Sequence, residues 1–166
     1  MSNIQLPAEC LHIIYCSRLA PGADYTAYGD ICRAARRRHL DDGVSSVLLF
    51  DGHRFCQWLQ GELGAVAALM HQIAGDTRHT ALTTRLHAVM PFCSFAQGWR
   101  AGFVDSEGLD RFQQLDGTAP DQVLSAFGRL LAAADIEPAM SISDAATAGA
   151  VASGAAASQC YGGDRI

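Results

Sequence analysis

The chain has 166 residues, 49% of them hydrophobic and 17% charged, which is material for one ordinary domain with its own core, and a second full domain is not expected. A formal net charge of -5 disfavours a broad electrostatic grip on nucleic acid or on an anionic membrane, and no apolar run approaches the ~20 residues that span a bilayer. All 12 basic residues are Arg, which excludes Schiff-base and P-loop lysine chemistry.

Residues 9–18 contain Leu11-His12-Ile13-Ile14-Tyr15-Cys16-Ser17, a β-branched and aromatic run that stops at Pro21-Gly22 and reads as a strand followed by a turn. Alternate residues of a strand share a face, so Leu11, Ile13, Tyr15 and Ser17 point one way. Asp24 is placed to cap a helix through His39, with Tyr25, Tyr28, Ile31, Cys32 and Ala35 at helical spacing. The Asp41-Asp42-Gly43 turn then releases residues 44–50, an apolar run with the character of a central strand. Asp51-Gly52 is a hairpin signal, which makes residues 54–60 a third strand antiparallel to the second, with Phe55, Gln57 and Leu59 on one face. Val66, Leu69, Met70 and Ile73 mark a second helix closed by Gly75. Residues 81–91 and 99–104 read as a fourth and a fifth strand.

The order β-α-β-β-α-β-β predicts an α+β fold of the ferredoxin-like kind, an open sheet with both helices on one face. Beyond Asp105, Leu109, Phe112 and Leu115, then Val123, Phe127, Leu130 and Leu131, predict C-terminal amphipathic helices, with Pro120 at the start of the second. Between residues 139 and 166, 17 positions are Ala, Ser or Gly, a composition that cannot build a core. The expected division is a domain over 8–105, a helical extension over 106–137 and a disordered Ala/Ser/Gly-rich tail over 138–166. The N-terminus lacks the charged and apolar regions of a signal peptide, so a cytoplasmic location is expected. The six cysteines form no CxxC pair and show no zinc-ligand spacing with the histidines, so they read as small buried residues or free thiols.

Among polar residues, Gln57 is the hardest to reconcile with a plain core. A mid-strand carboxamide between Phe55 and Leu59 costs free energy unless its donors and acceptors find partners. Tyr15 on its own fits an ordinary core tyrosine with a satisfied hydroxyl. Should both helices cover this face, the two residues lie beneath them within reach of each other. Arg36 and Arg37 read as a solvated helix end, His39 as a histidine closing the apolar stripe, and Asp76-Thr77-Arg78-His79 as a polar turn. No GxSxG, HExxH or post-strand GxGxxG motif occurs.

Taken together, Tyr15-Cys16-Ser17, Val44-Ser45-Ser46-Val47-Leu48-Leu49, Phe55-Cys56-Gln57-Trp58-Leu59-Gln60-Gly61 and Asp76-Thr77-Arg78-His79 resemble the BLUF domain, the sensor of blue light using FAD. The resemblance runs through residues 10–104, and the third-strand segment, matching F-x-Q-x-L-E-G, is its most specific part. It implies a short stand-alone photoreceptor, not an enzyme, with FAD held non-covalently between the two helices over Tyr15 and Gln57. In the family, light drives an electron from the tyrosine to the flavin, and the glutamine between them rearranges its hydrogen bonds. The implied flavin contacts are Tyr15, Ser17, Arg38, His39, Gln57, Asp76, His79 and Trp99, with Asp76 and His79 toward the ribityl or phosphate portion and Tyr15 and Gln57 photoactive.

Five positions depart from the family pattern: His39 replaces an asparagine, Ser45-Ser46 replaces Thr-Gly, Gln60 replaces a glutamate, and Ala101 in Trp99-Arg100-Ala101-Gly102-Phe103 replaces a methionine. The implied readout is contact with a separate, unidentified protein partner through the C-terminal helices. Association into a homo-oligomer is a further expectation, and neither nucleic acid nor membrane is expected as a partner. The alternatives are a degenerate BLUF-fold interaction module without photochemistry, and an acylphosphatase-like hydrolase on the same topology, for which the required Arg and Asn pairing is missing from the first loop.

Overall fold

A computed structural model of the chain describes residues 9–24, 26–93, 98–115 and 119–137. Tyr25 and the 138–166 tail lie outside the described residues. Strand β1 (Cys10–Leu19) is followed by helix α1 (Thr26–Asp42), the hairpin β2 (Ser45–Phe50) and β3 (Arg54–Gly61), helix α2 (Leu63–Ala74), strands β4 (His79–Met90) and β5 (Trp99–Phe103), helices α3 (Ser106–Gln113) and α4 (Pro120–Ala132), and a short strand β6 (Asp135–Ile136). The α+β, ferredoxin-like architecture expected from the element order is the one adopted.

The sheet order is β4-β1-β3-β2-β5-β6. Neighbouring strands are antiparallel except β2 and β5, which run parallel. β1, β2 and β3 lie at the centre with layers on both sides, and every residue of β2 and β3 is buried. Helices α1 and α2 cover one face, where Leu11, Ile13, Tyr15 and Leu59 meet Val66, and Leu48, Phe50 and Phe55 meet Ile31. Helices α3 and α4 cover the other, where Ile14, Cys16, Val47, Leu49, Cys56 and Trp58 pack against Leu109, Phe112, Val123 and Phe127.

Local chemistry sets the element ends. The Asp24 carboxylate accepts from the Thr26 N–H at 2.9 Å and opens α1. That helix runs three residues past His39, because Asp41 and Asp42 stay helical and Gly43, at φ +67°, takes the left-handed position, its N–H donating to the His39 carbonyl at 3.2 Å. In the hairpin, Asp51 Oδ1 accepts from the His53 and Arg54 N–H groups at 2.9 and 2.7 Å, which closes the turn on Gly52. Arg54 then reaches Asp110 and Gln113 at 2.5 and 3.2 Å and the Ser106 carbonyl at 3.0 Å, pinning α3 to the hairpin.

Strand β6, absent from the sequence-based expectation, explains Gly102. A Cβ there would lie 2.5 Å from the Asp135 carbonyl oxygen and 2.9 Å from Ile136 Cα, so the chain after α4 can return to the sheet edge only against a glycine. The helical extension is therefore stitched into the sheet. Among the described residues, no helix is long and apolar enough to cross a membrane.

Candidate functional site

Antiparallel pairing puts Tyr15 directly opposite Gln57 and so on the same face. The Tyr15 hydroxyl donates to Gln57 Oε1 at 2.5 Å, and Gln57 Nε2 donates to Ser46 Oγ at 2.5 Å. Ser46 is opposite Leu59 on the neighbouring strand, a diagonal neighbour of Gln57 that a long side chain can reach. All three residues are buried, Tyr15 completely. Burial, reinforced by nearby Cys56 and Asp76, raises the Tyr15 phenol well above its usual range, so at any ordinary pH it is a protonated donor.

These three residues form the floor of a cavity of about 370 Å³ between α1 and α2. That lies in the size range of small-molecule sites, roughly 300–1,000 Å³. Ile31, Ala34 and Ala35 supply the α1 wall, Leu69 and Ile73 the α2 wall, and Arg38, Gln72, Asp76, Arg78 and His79 the polar rim. The opening exists because α1 presents alanines where a larger side chain would have closed on the sheet.

The sequence-derived candidates divide among three settings. Tyr15, Gln57, Arg38, Asp76 and His79 come together around the cavity. Ser17 Oγ sits 2.8 Å from His79 Nδ1 and orients that ring, which also packs against Phe55 with centroids 5.0 Å apart. Burial lowers the His79 pKa, Asp76 opposes and Arg78 assists, so His79 is neutral at pH 7. His39 and Trp99 are not among the lining residues. The His39 Nδ1–H donates to the Val44 carbonyl at 2.9 Å, bracing the start of β2, and half-buried Trp99 packs with Phe50, Phe55 and Ala101.

Three contributors escaped the sequence reading. Ser46 completes the polar chain of the floor. Gln72 accepts from Arg38 and holds it across the cavity mouth between the helices. Arg78 forms a two-pronged pair with Asp76, Nε to Oδ1 at 2.9 Å and Nη2 to Oδ2 at 2.5 Å, which fixes both at the rim and keeps the Asp76 carboxyl below its usual range. Arg78 and Asp76 are two residues apart in one turn, whereas the partner of Arg38, 34 residues away on α2, is set by tertiary packing.

The family profile described as "BLUF: Sensors of blue-light using FAD" matches residues 10–101 of this chain. The chain belongs to the BLUF family. Among solved structures, "BlrB - a BLUF protein, dark state structure" is similar at 24% identity and TM-score 0.58, over 76% of this chain and 97% of that one. "BlsA photo-activated state" is similar at 18% identity and TM-score 0.61, over 74% and 94%. A Klebsiella pneumoniae BlrP1 calcium/cy-diGMP complex matches at 20% identity and TM-score 0.52, over 87% of this chain but 34% of that much longer one. At these identities the structural likenesses establish the fold, and the family profile establishes the membership. No curated protein sequence matches the chain.

FAD is the family's cofactor, and the BLUF cavity described above suits a flavin. Its walls are apolar on both helices, as a flat aromatic ring requires, and its rim carries Arg38 together with the paired Arg78 and Asp76. Gln57 Nε2 has two protons and, among the described residues, donates one of them to Ser46, leaving the amide a donor on the cavity floor.

Proposed function

We propose that the chain is a blue-light receptor whose switch is the Tyr15–Gln57–Ser46 chain and whose readout passes through α3 and α4 to a protein partner. The observation that carries the reading is the Tyr15 hydroxyl donating to Gln57 Oε1 at 2.5 Å on the floor of the cavity. Bound FAD supplies blue-light absorption and an acceptor for an electron from the phenol. Tyr15, Gln57 and Ser46 supply the rest. In the arrangement described, Gln57 Oε1 accepts from Tyr15 and Nε2 donates to Ser46. Turning the amide over places Nε2 toward the phenol oxygen, which can accept, and Oε1 toward the Ser46 hydroxyl, which can donate. Each arrangement makes two hydrogen bonds among the three side chains and leaves one hydroxyl proton without an acceptor among them, that of Ser46 in the first and that of Tyr15 in the second, so the two are closely balanced. A two-state element of this kind needs only a small bias to change its population. Trp58 follows Gln57 in the chain and faces the opposite way, packing edge-on against Phe127 of α4 with centroids 5.4 Å apart. A shift of β3 at Gln57 therefore reaches α4 in one step.

The test is spectroscopic. The protein loaded with FAD should shift its absorption to the red under blue light and recover in the dark. Gln57→Leu should bind flavin, fold, and show no shift. A wild-type spectrum unchanged by illumination would sink the photoreceptor reading and leave an interaction module on the same fold.

A further inference from the structure

The sheet face turned away from the cavity carries an arrangement that flavin chemistry does not use. Cys16 and Cys56 stand directly opposite one another on β1 and β3, both buried, with sulfurs 3.5 Å apart. The Leu19 N–H donates to the His53 carbonyl at 2.8 Å. Bonded pairs alternate along an antiparallel ladder, so Ser17–Phe55 and Tyr15–Gln57 are hydrogen-bonded pairs and Cys16–Cys56 is a non-bonded one. Side chains of non-bonded pairs lie closest. Their Cα separation, about 4.5 Å, falls within the span of about 4.4–6.8 Å that a disulfide bridges.

Cys16 is also approachable. A cavity of about 250 Å³ lined by Cys16, Arg18, Thr83, Arg85 and Gln113 leads to it, with exposed Arg18 and Thr83 at the rim. The cavity lies where the β1–β4 ladder slips. Cys16 pairs with Thr83 but Arg18 with Thr80, so Ala81, at φ +50°, and Leu82 share the place opposite Ser17. Arg85 donates through Nη2 to the Leu115 carbonyl at 2.8 Å, while its buried Nε–H has no acceptor among the described residues. A hydrogen bond from Cys56, another from Gln113, and the charges of Arg85 and Arg54 hold Cys16 below the usual thiol range despite its burial. Full burial pushes Cys56 up.

We propose that Cys16 and Cys56 are an oxidisable pair, converted to a cross-strand disulfide by a hydroperoxide that enters beside Arg85. The Cys16 thiolate attacks one peroxide oxygen, the O–O bond breaks, and the leaving hydroxide takes up a proton to become water. Cys16 is now a sulfenic acid. The Cys56 sulfur attacks the Cys16 sulfur, the S–O bond breaks, and the departing hydroxide takes the Cys56 proton. Two thiols and one hydrogen peroxide become one disulfide and two waters, with two electrons passing from sulfur to oxygen. Cys16 follows Tyr15 and Cys56 precedes Gln57, so the link crosses the sheet directly behind the hydrogen-bonded pair and removes an acceptor from Gln113 of α3.

Hydrogen peroxide added to the full chain in the dark, followed by thiol blocking and a non-reducing tryptic digest, reads the product by mass. Cleavage after Arg18, Arg54 and Arg78 isolates residues 1–18 and 55–78. The expected product joins these two peptides, short of two hydrogens, with fragmentation placing the bond at Cys16 rather than Cys10 and dithiothreitol releasing it. Arg85→Gln should slow its formation severalfold, since the thiolate fraction falls faster than nucleophilicity rises. In Cys56→Ser, Cys16 should proceed to sulfinic acid with no link. Wild-type peptides that stay unlinked while Cys32 or Cys93 oxidises, or a wild-type Cys16 that reaches sulfinic acid as fast as in Cys56→Ser, would overturn the proposal. The readout needs no flavin, so it stands or falls separately from the photoreceptor reading.

Discussion

The two faces of one sheet, built from alternate residues of the same three strands, are finished in opposite ways. Toward α3 and α4 the strands present Ile14, Val47, Leu49 and Trp58, and the helices answer with Phe112 and Phe127, which meet edge-on with centroids 5.9 Å apart. Toward α1 and α2 they present Tyr15, Gln57 and Ser46, and α1 answers with Ala34 and Ala35. Aromatic rings fill the first interface and fix its geometry, whereas small residues leave the second open around a polar floor. The chain thus places its site where the covering layer is deliberately thin, and supports it from behind with a layer that is not.

Breaking the filled face should have the largest effect. Phe127 is fully buried between Trp58 and Phe112, so Phe127→Ala removes a ring and leaves a hole that the rigid sheet cannot close. Such truncations cost about 3–5 kcal/mol. A urea midpoint should fall accordingly, with flavin binding lost in step with the fold and not before it. A variant that stays as stable as the wild type would mean that α4 does not hold the sheet as its contacts indicate.

The open face responds on a smaller scale. Ser46→Ala removes the acceptor of Gln57 Nε2 while keeping the strand and its burial. A lost hydrogen bond of this type costs about 1 kcal/mol, up to about 3 when a buried donor is left without a partner. The sharper consequence is in the spectrum: without the hydroxyl, a turned Gln57 loses the donor that its Oε1 would meet, so the illuminated state should recover faster in the dark. Recovery at the wild-type rate would show that Ser46 takes no part in the switch.

Much of this contrast is legible in the residues. Period-two alternation puts Tyr15 and Gln57 on a common face, the Asp51-Gly52 turn sets the hairpin that carries Gln57, and helical spacing places the aromatic residues of α3 and α4. What stayed hidden depends on contacts between segments far apart in sequence. Gln60 stands where the family has a glutamate, and its amide donates to the Cys93 carbonyl at 2.6 Å and accepts from the Cys93 N–H at 3.0 Å, a double role that a carboxylate cannot fill. Ser46 stands where the family has a glycine, and only the register of β2 on β3 brings its hydroxyl to Gln57. Strand β6 has two residues, too few for any pattern, and only the clash a Cβ would meet at Gly102 reveals why it fits.

Protons offer the gentlest way to separate the faces, because fully buried His12 packs in one and half-buried His79 lines the cavity of the other. On the filled side, His12 Nε2–H donates to the Pro91 carbonyl at 3.1 Å and Nδ1 accepts from the Trp58 indole at 3.2 Å, which fixes a neutral tautomer. On the open side stands His79 beside Ser17. Burial lowers both pKa values, outweighing the backbone acceptors at His12 and the Asp76 charge at His79. In the unfolded chain both titrate near the ordinary value of about 6.5. As pH falls below that, the unfolded state takes up protons that the folded state refuses, so stability decreases with falling pH until the folded histidines themselves protonate. The carboxylates of Asp51 and Asp76, held below their usual range, lose their contribution only at lower pH, as the chain passes about 3.9. Urea midpoints should therefore decline between pH 6.5 and 5, and His12→Gln and His79→Gln should each flatten part of that slope. Because His79 lines the cavity and His12 does not, saturating FAD should alter the His79 share alone; a flavin effect that survives in His79→Gln and vanishes in His12→Gln would reverse the assignment of the two faces.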